Sequence, residues 1–379
     1  MSWFGAQLHR ADRCIARVTG KRRVLVDARS AMNFGILMPV AERLQRDPRI
    51  DVVFTGPNAL PRDAMKWRRV DLCLCADPWD PIDLRRCSHR ANFFHGMAGK
   101  YDLDSPGHLP IGFDIYDRVA FINRDRMQRY LDHGVIPREK AVLVGYPKVD
   151  ALVNGRYDAG AVHEKLQLEM HRRTAIYAPT WSPASSLHIA GEAIVKSLVD
   201  SGFNVIVKLH DRSLDTTEEK FSGGIDWRAR FKQIHIPGRI AFVEAADSSP
   251  LLAASDVMVT DHSSIGFEFL LLDRPLIVFD APDLARVARI NAEKIALLRS
   301  AARVVHAAEE VGPAALDEIE QPDRRANARH RVTADMFYEP GTATERALAM
   351  VYDLLDLPLA SLHEVSHEVL DRYRHVQAS

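Results

Sequence analysis

The chain has 379 residues, of which 47% are hydrophobic, with 50 lysines and arginines against 51 aspartates and glutamates. That length suits about two to three domains, and a net charge of -1 excludes the global basic field of a dedicated nucleic-acid binder. Four cysteines (Cys14, Cys73, Cys75, Cys87) without C-x-x-C spacing exclude a disulfide framework and a zinc or dithiol redox site, and they fit a reducing compartment. No apolar run of about 18 residues occurs and no compact signal-peptide core opens the chain, so a soluble, cytoplasmic protein is expected.

Residues 1–23 carry Arg10, Arg13, Arg17, Lys21, Arg22 and Arg23 against Asp12, with Phe4, Leu8, Ala11, Ile15 and Val18 at helical spacing. This is a basic amphipathic helix, suited either to an anionic membrane surface or to packing on its own domain. Short apolar segments then recur at intervals filled by helix-like stretches, as buried parallel strands require. The first series is predicted at residues 23–28, 51–55, 70–76, 91–94, 118–122 and 141–144. A turn-rich stretch follows from Gly145 to Gly160, placing a boundary near residue 155. The second series is predicted at 174–178, 204–209, 240–243, 257–260, 276–279 and 303–306. Residues 357–379 read as a terminal helix. The pattern implies two doubly wound α/β domains, 24–155 and 156–356, with ligands at the carboxyl ends of strands in an inter-domain cleft.

Four segments could carry chemistry. In Thr260-Asp261-His262-Ser263-Ser264 a buried strand runs straight into an apolar helix, and backbone N–H groups with two hydroxyls there suit a phosphate; the plain alternative is that the serines only cap the helix. In His95-Gly96-Met97-Ala98-Gly99-Lys100 an imidazole stands at a strand's carboxyl end beside a glycine turn, a candidate general base near neutral pH. Lys208 and His210 close another strand on one side of the sheet and offer donors to a phosphate or diphosphate. Tyr177 to Trp181 adds the Thr180 hydroxyl and an aromatic surface.

Taken together these segments resemble the CDP-glycerol glycerophosphotransferase family, which builds teichoic-acid-type chains. The resemblance runs from about Val24 to Leu355. It rests on His-Gly-x-x-x-Lys at His95 to Lys100, Gly-Tyr-Pro-x-x-Asp at Gly145 to Asp150, Tyr-Ala-Pro-Thr-Trp at Tyr177 to Trp181, Lys-x-His at Lys208 to His210, Thr-Asp-x-Ser-Ser at Thr260 to Ser264, and Gly-x-x-x-Glu-Arg at Gly341 to Arg346. It implies a GT-B fold of two Rossmann-like domains, the second holding the nucleotide donor. It further implies transfer of a polyol phosphate from a CDP-activated donor to a hydroxyl of a lipid-linked or polymeric acceptor, with release of CMP. His95 would be the base; Gly96 and Lys100 would serve the acceptor side. Lys208, His210, Thr180, Asp261, Ser263, Ser264, Glu268 and Arg346 would hold the donor, Glu268 at the ribose. No metal or other cofactor is expected, and the enzyme would work at the inner membrane face. The chain departs from the family pattern at Asp211 (usually proline), His262 (usually tyrosine) and Ser182 (commonly arginine), which leaves the polyol open. The alternatives are a nucleotide-sugar glycosyltransferase or UDP-sugar 2-epimerase of the same fold, or a catalytically silent nucleotide- or polymer-binding subunit.

Overall fold

The computed structural model describes residues 20–56, 59–100, 102–105, 112–245 and 247–378. The basic segment at residues 1–19 lies outside the described residues. The described residues divide into two compact units, one formed by those within 1–95, 105–150 and 337–379, the other by those within 96–104 and 151–336.

The first unit is built on six strands, β1 (Arg22–Asp27), β2 (Ile50–Thr55), β3 (Val70–Cys75), β4 (Cys87–Phe93), β5 (Arg118–Phe121) and β6 (Ala141–Leu143). They form one parallel sheet in the order β2-β1-β3-β4-β5-β6. All six residues of β3 are buried, as expected of a central parallel strand covered on both faces. Helices are started by side-chain caps: Ser30 accepts from the Asn33 N–H ahead of helix Ala31–Gln45, and Asn123 accepts from the Arg126 N–H ahead of helix Arg124–Asp132. Phe94 continues the β4 ladder by donating to the Ala120 carbonyl, so His95 leaves the sheet at its carboxyl end.

The second unit repeats the plan with β7 (Thr174–Tyr177), β8 (Asn204–Val207), β9 (Ile240–Phe242), β10 (Val257–Thr260), β11 (Leu276–Phe279) and β12 (Arg303–Val305). Its order is β12-β11-β10-β7-β8-β9, again all parallel. Successive strands grow outward from β7 on one side and from β10 on the other. The strand order therefore reverses between β7 and β10, and the crevice beyond their carboxyl ends is where such sheets hold ligands. Helix Ser186–Asp200 packs across this sheet with Leu187, Ile194, Val195 and Leu198 buried against Tyr177, Val205 and Val207.

All twelve predicted strands are present. The domain boundaries differ from expectation in three places, the first being that the break near residue 155 falls between Asp150 and Ala151. Residues 337–379 belong to the first unit, because helix Ala343–Leu355 packs there against helix Ala31–Gln45 and β3, and the terminal helix His367–Ala378 packs on Ala343–Leu355 and β6. Residues 96–104, which follow β4, belong to the second unit.

Candidate functional site

The switch point of the second sheet gathers most of the residues singled out from sequence. Tyr177 sits between Val259 and Val207 in register, and the ladder runs on through Ala178 N–H to the Val259 carbonyl at 2.9 Å and Lys208 N–H to the Tyr177 carbonyl at 3.0 Å. The segments after β10, β7 and β8 thus leave the sheet side by side. Asp261, buried, ties two of them together. Its Oδ1 accepts from the backbone N–H of Thr180 at 2.9 Å and of His262 at 2.6 Å, and its Oδ2 accepts from the Ser186 N–H and hydroxyl at 3.0 and 2.9 Å. The Thr180 hydroxyl donates to the His262 carbonyl at 2.7 Å. Asp261 and Thr180, expected to contact the donor, are therefore floor residues whose bonds are made inside the protein, holding the segments after β7 and β10 together.

Residues 96–104 form a strap clamped onto this floor. His262 donates its Nε2–H to the Ala98 carbonyl at 3.1 Å, and the Asn291 N–H donates to the Gly99 carbonyl at 3.0 Å. Gly99 has φ of +62°, and a Cβ there would collide with the Asp104 carboxylate and meet Lys294 Cγ at 3.0 Å, so only glycine fits. The strap delivers Lys100, whose Nζ donates to the Thr180 hydroxyl at 2.9 Å. Lys100 and Gly96, expected on the acceptor side of the first domain, thus belong to the second unit. Burial pushes the Lys100 ammonium down to about 8, against the opposing pull of the Asp261 carboxylate. One of its three N–H groups is taken by Thr180, which leaves a desolvated cation with donors to offer.

On the β8 side, the strand stops at Val207, two residues earlier than expected. Lys208 donates to the Leu209 carbonyl at 2.7 Å. His210 caps the short 3-10 turn Asp211–Leu214, its Nδ1 accepting from the Arg212 N–H at 3.1 Å. That bond places the ring proton on Nε2, so His210 is a neutral N–H donor. Burial, reinforced by the charges of Arg212, Lys208 and Lys100, pushes it down to about 3.

On the β10 side, Ser263 occupies the N-cap of helix Ser264–Leu270 but makes no side-chain capping bond. The plain capping role is therefore not what its hydroxyl does. Glu268 lies one turn into the helix and is 3% exposed.

Two expected site residues stand elsewhere. His95 is half-buried in the first unit, its Nδ1 enclosed without a hydrogen-bond partner among the described residues. Burial pulls its pKa down, partly opposed by Asp77 and the Ala76 carbonyl, which favours the neutral imidazole. Arg346 was expected on the donor phosphate. It is 0% exposed in the first unit, donating to the carbonyls of Val144, Tyr338 and Glu339, the Thr342 hydroxyl and the Glu339 carboxylate at 2.7 to 3.2 Å. Its partner motif is equally structural: Asp150 accepts from the N–H groups of Gly341, Ala343 and Thr344, and Gly145, with φ of +89°, lies where a Cβ would stand 2.6 Å from the Tyr338 carbonyl. These two motifs lock the returning C-terminal segment onto β6.

Sequence reasoning missed Arg212. Its guanidinium lies 4.5 Å from the Trp181 ring centroid and 5.0 Å from that of Phe221, and the Trp181 and His210 rings are 6.2 Å apart. The available signal was its position two residues after His210.

Comparison with known proteins bears on the family and the fold. A model of the family described as CDP-Glycerol:Poly(glycerophosphate) glycerophosphotransferase matches residues 133–352, more than half of the chain. The chain is 23% identical over 171 residues to a teichoic acid glycerol-phosphate primase of Bacillus spizizenii, covering 43% of this chain and 40% of that one. It is 24% identical over 156 residues to a teichoic acid glycerol-phosphate transferase of Staphylococcus aureus, covering 38% and 36%. The matched region thus spans about two fifths of the length of these curated relatives. In three dimensions the chain resembles the wall teichoic acid polymerase TagF with a TM-score of 0.66 at 15% identity, over 91% of this chain and 93% of that one. It also resembles a UDP-GlcNAc 2-epimerase from Neisseria meningitidis with a TM-score of 0.52 at 14% identity, over 88% and 99%. These likenesses bear out the GT-B fold class.

Proposed function

The chain belongs to the CDP-glycerol:poly(glycerophosphate) glycerophosphotransferase family, and from that premise we propose that it transfers glycerol phosphate from CDP-glycerol to an acceptor hydroxyl, releasing CMP. The observation that carries this reading is the switch point of the second unit, where Lys100 reaches Thr180 after β7, the neutral donor His210 follows β8 and the uncapped Ser263 follows β10. An anionic diphosphate satisfies such a set of donors, and the family match makes it a CDP-linked one.

In the reaction, the acceptor oxygen attacks the distal phosphorus of the donor. A new P–O bond forms, the P–O bond to the bridging oxygen breaks, and its electron pair leaves with CMP. His95 takes the acceptor proton on its unprotonated nitrogen and later gives it to water. Lys100, His210, Ser263 and Ser264 meet the charge that gathers on the leaving phosphate, an electrostatic role that favours donors already fixed in place. Lys208 adds positive charge beside them. Glu268 would accept from the ribose hydroxyls. Thr180 and Asp261 act through the loops they hold.

The test is CMP release from CDP-glycerol by the purified protein with a glycerol-phosphate-terminated acceptor, run beside CDP-ribitol and UDP-sugars. Release of UMP or UDP but no CMP would favour the sugar-transferase reading, and no turnover with retained CMP binding would favour a silent binding subunit.

A lipid-linked acceptor would place this work at a membrane face. No helix among the described residues is long and apolar enough to cross a membrane. The basic segment at residues 1–19 is the proposed attachment, with each cation near an anionic surface contributing roughly 1 kcal/mol in a salt-screened manner. Deleting it should lower binding to anionic liposomes while activity on a short soluble acceptor persists; equal liposome binding by the truncated chain would remove it from that role.

A further inference from the structure

Arg212 has no part in the reaction as set out above, yet it is the most available cation at the crevice. It is exposed, it makes no ion pair among the described residues, and its guanidinium is held over Trp181 and beside Phe221. The Trp181 and Phe221 rings meet edge to face at 5.2 Å and 85°, which gives the guanidinium a fixed corner. Three nearby carboxylates are engaged by others: Glu218 with Lys220 at 3.0 Å, Glu244 with Arg228 at 2.7 Å, and Asp215 with the Thr217 hydroxyl at 2.6 Å. A guanidinium oriented in advance and left without a carboxylate is a fork awaiting an anion.

Sheet order says which anion. The carboxyl ends of β10, β7 and β8 stand in a row. On the donor reading proposed above, on which this inference rests, Glu268 takes the ribose on the β10 side. The phosphate chain then runs past Ser263, Ser264, Lys100 and His210 toward the loop after β8, and its far end reaches Arg212. We propose that Arg212 binds the distal phosphoryl group, the one that is transferred, and so distinguishes the CDP-linked donor from the CMP product. The product lacks that group and is held without Arg212, which favours its release.

Calorimetry with CMP and with CDP-glycerol on the wild-type protein, Arg212→Ala and Arg212→Lys tests this. Arg212→Ala should weaken CDP-glycerol about 10- to 100-fold, or roughly 1.4 to 2.7 kcal/mol, as for a charge-assisted hydrogen bond, while changing CMP less than about twofold. The retained CMP affinity also shows that the variant is folded. Arg212→Lys should recover part of the loss, since charge is kept and the planar fork is not. Equal weakening of both ligands would overturn the distal assignment, as would unchanged affinity for both, or a rise in acceptor KM alone. Failure of the wild-type protein to bind either ligand would instead sink the donor reading itself.

Discussion

Lys100 offers the sharpest test, because burial has brought its ammonium down to about 8 from an ordinary 10.5. If it must be charged to hold the donor, kcat/KM loses a factor of about ten between pH 7, where some nine tenths of the group is protonated, and pH 9, where about one tenth is. Lys100→Arg should remove that basic limb, since a guanidinium does not titrate in this range, and Lys100→Met should abolish donor binding. A second readout is independent of activity. The folded chain holds the proton less tightly than the unfolded chain, so between pH 8 and about 10.4 the unfolded state binds more protons and this group makes wild-type stability rise with pH. Partial solvent access trims the effect to about 1–2 kcal/mol. Urea unfolding of the wild-type protein and Lys100→Met at pH 7 and pH 9.5 should show the methionine variant relatively more stable at the lower pH, with the gap closing at the higher. A basic limb that persists in Lys100→Arg, or a stability gap that does not move with pH, would refute the reasoning.

His95→Gln should cost about 10² to 10⁴ in kcat with CMP affinity unchanged, and the acid limb of kcat/KM for the wild-type enzyme should fall below pH 6.5 because burial lowers the pKa of that imidazole; a limb above 6.5 would count against His95 as the base. Ser263→Ala should weaken CMP severalfold at a stability cost under about 0.5 kcal/mol, since no side-chain cap is lost; denaturation and calorimetry together separate this from a capping role, which would lower stability and leave affinity alone. Arg346→Met should destabilise the protein by about 3–5 kcal/mol by orphaning buried acceptors, and CMP affinity per folded molecule should not change; a selective loss of donor affinity would restore Arg346 to the phosphate site.

The strands were legible because buried parallel strands are nearly all apolar, and the start placed latest, at β4, begins with the polar run Cys87-Ser88-His89-Arg90, which carries no such pattern. The division into units was less legible. A chain that runs on after β4 is naturally assigned to the unit it leaves, and nothing local in residues 96–104 announces that Ala98 and Gly99 pair with His262 and Asn291. The same limit explains the reversal of roles between two arginines. Arg346 stands in a motif and Arg212 does not, so the motif suggested a ligand contact for the first and nothing for the second. What decides between a structural and a binding guanidinium is the number of acceptors the protein supplies. Arg346 finds five, one of them 202 positions away in sequence, whereas Arg212 finds two aromatic faces and no carboxylate. Burying a guanidinium requires that its donors be met within the fold, so the fully paired residue is the one a phosphate cannot reach, and the exposed, ring-held one still has donors to offer.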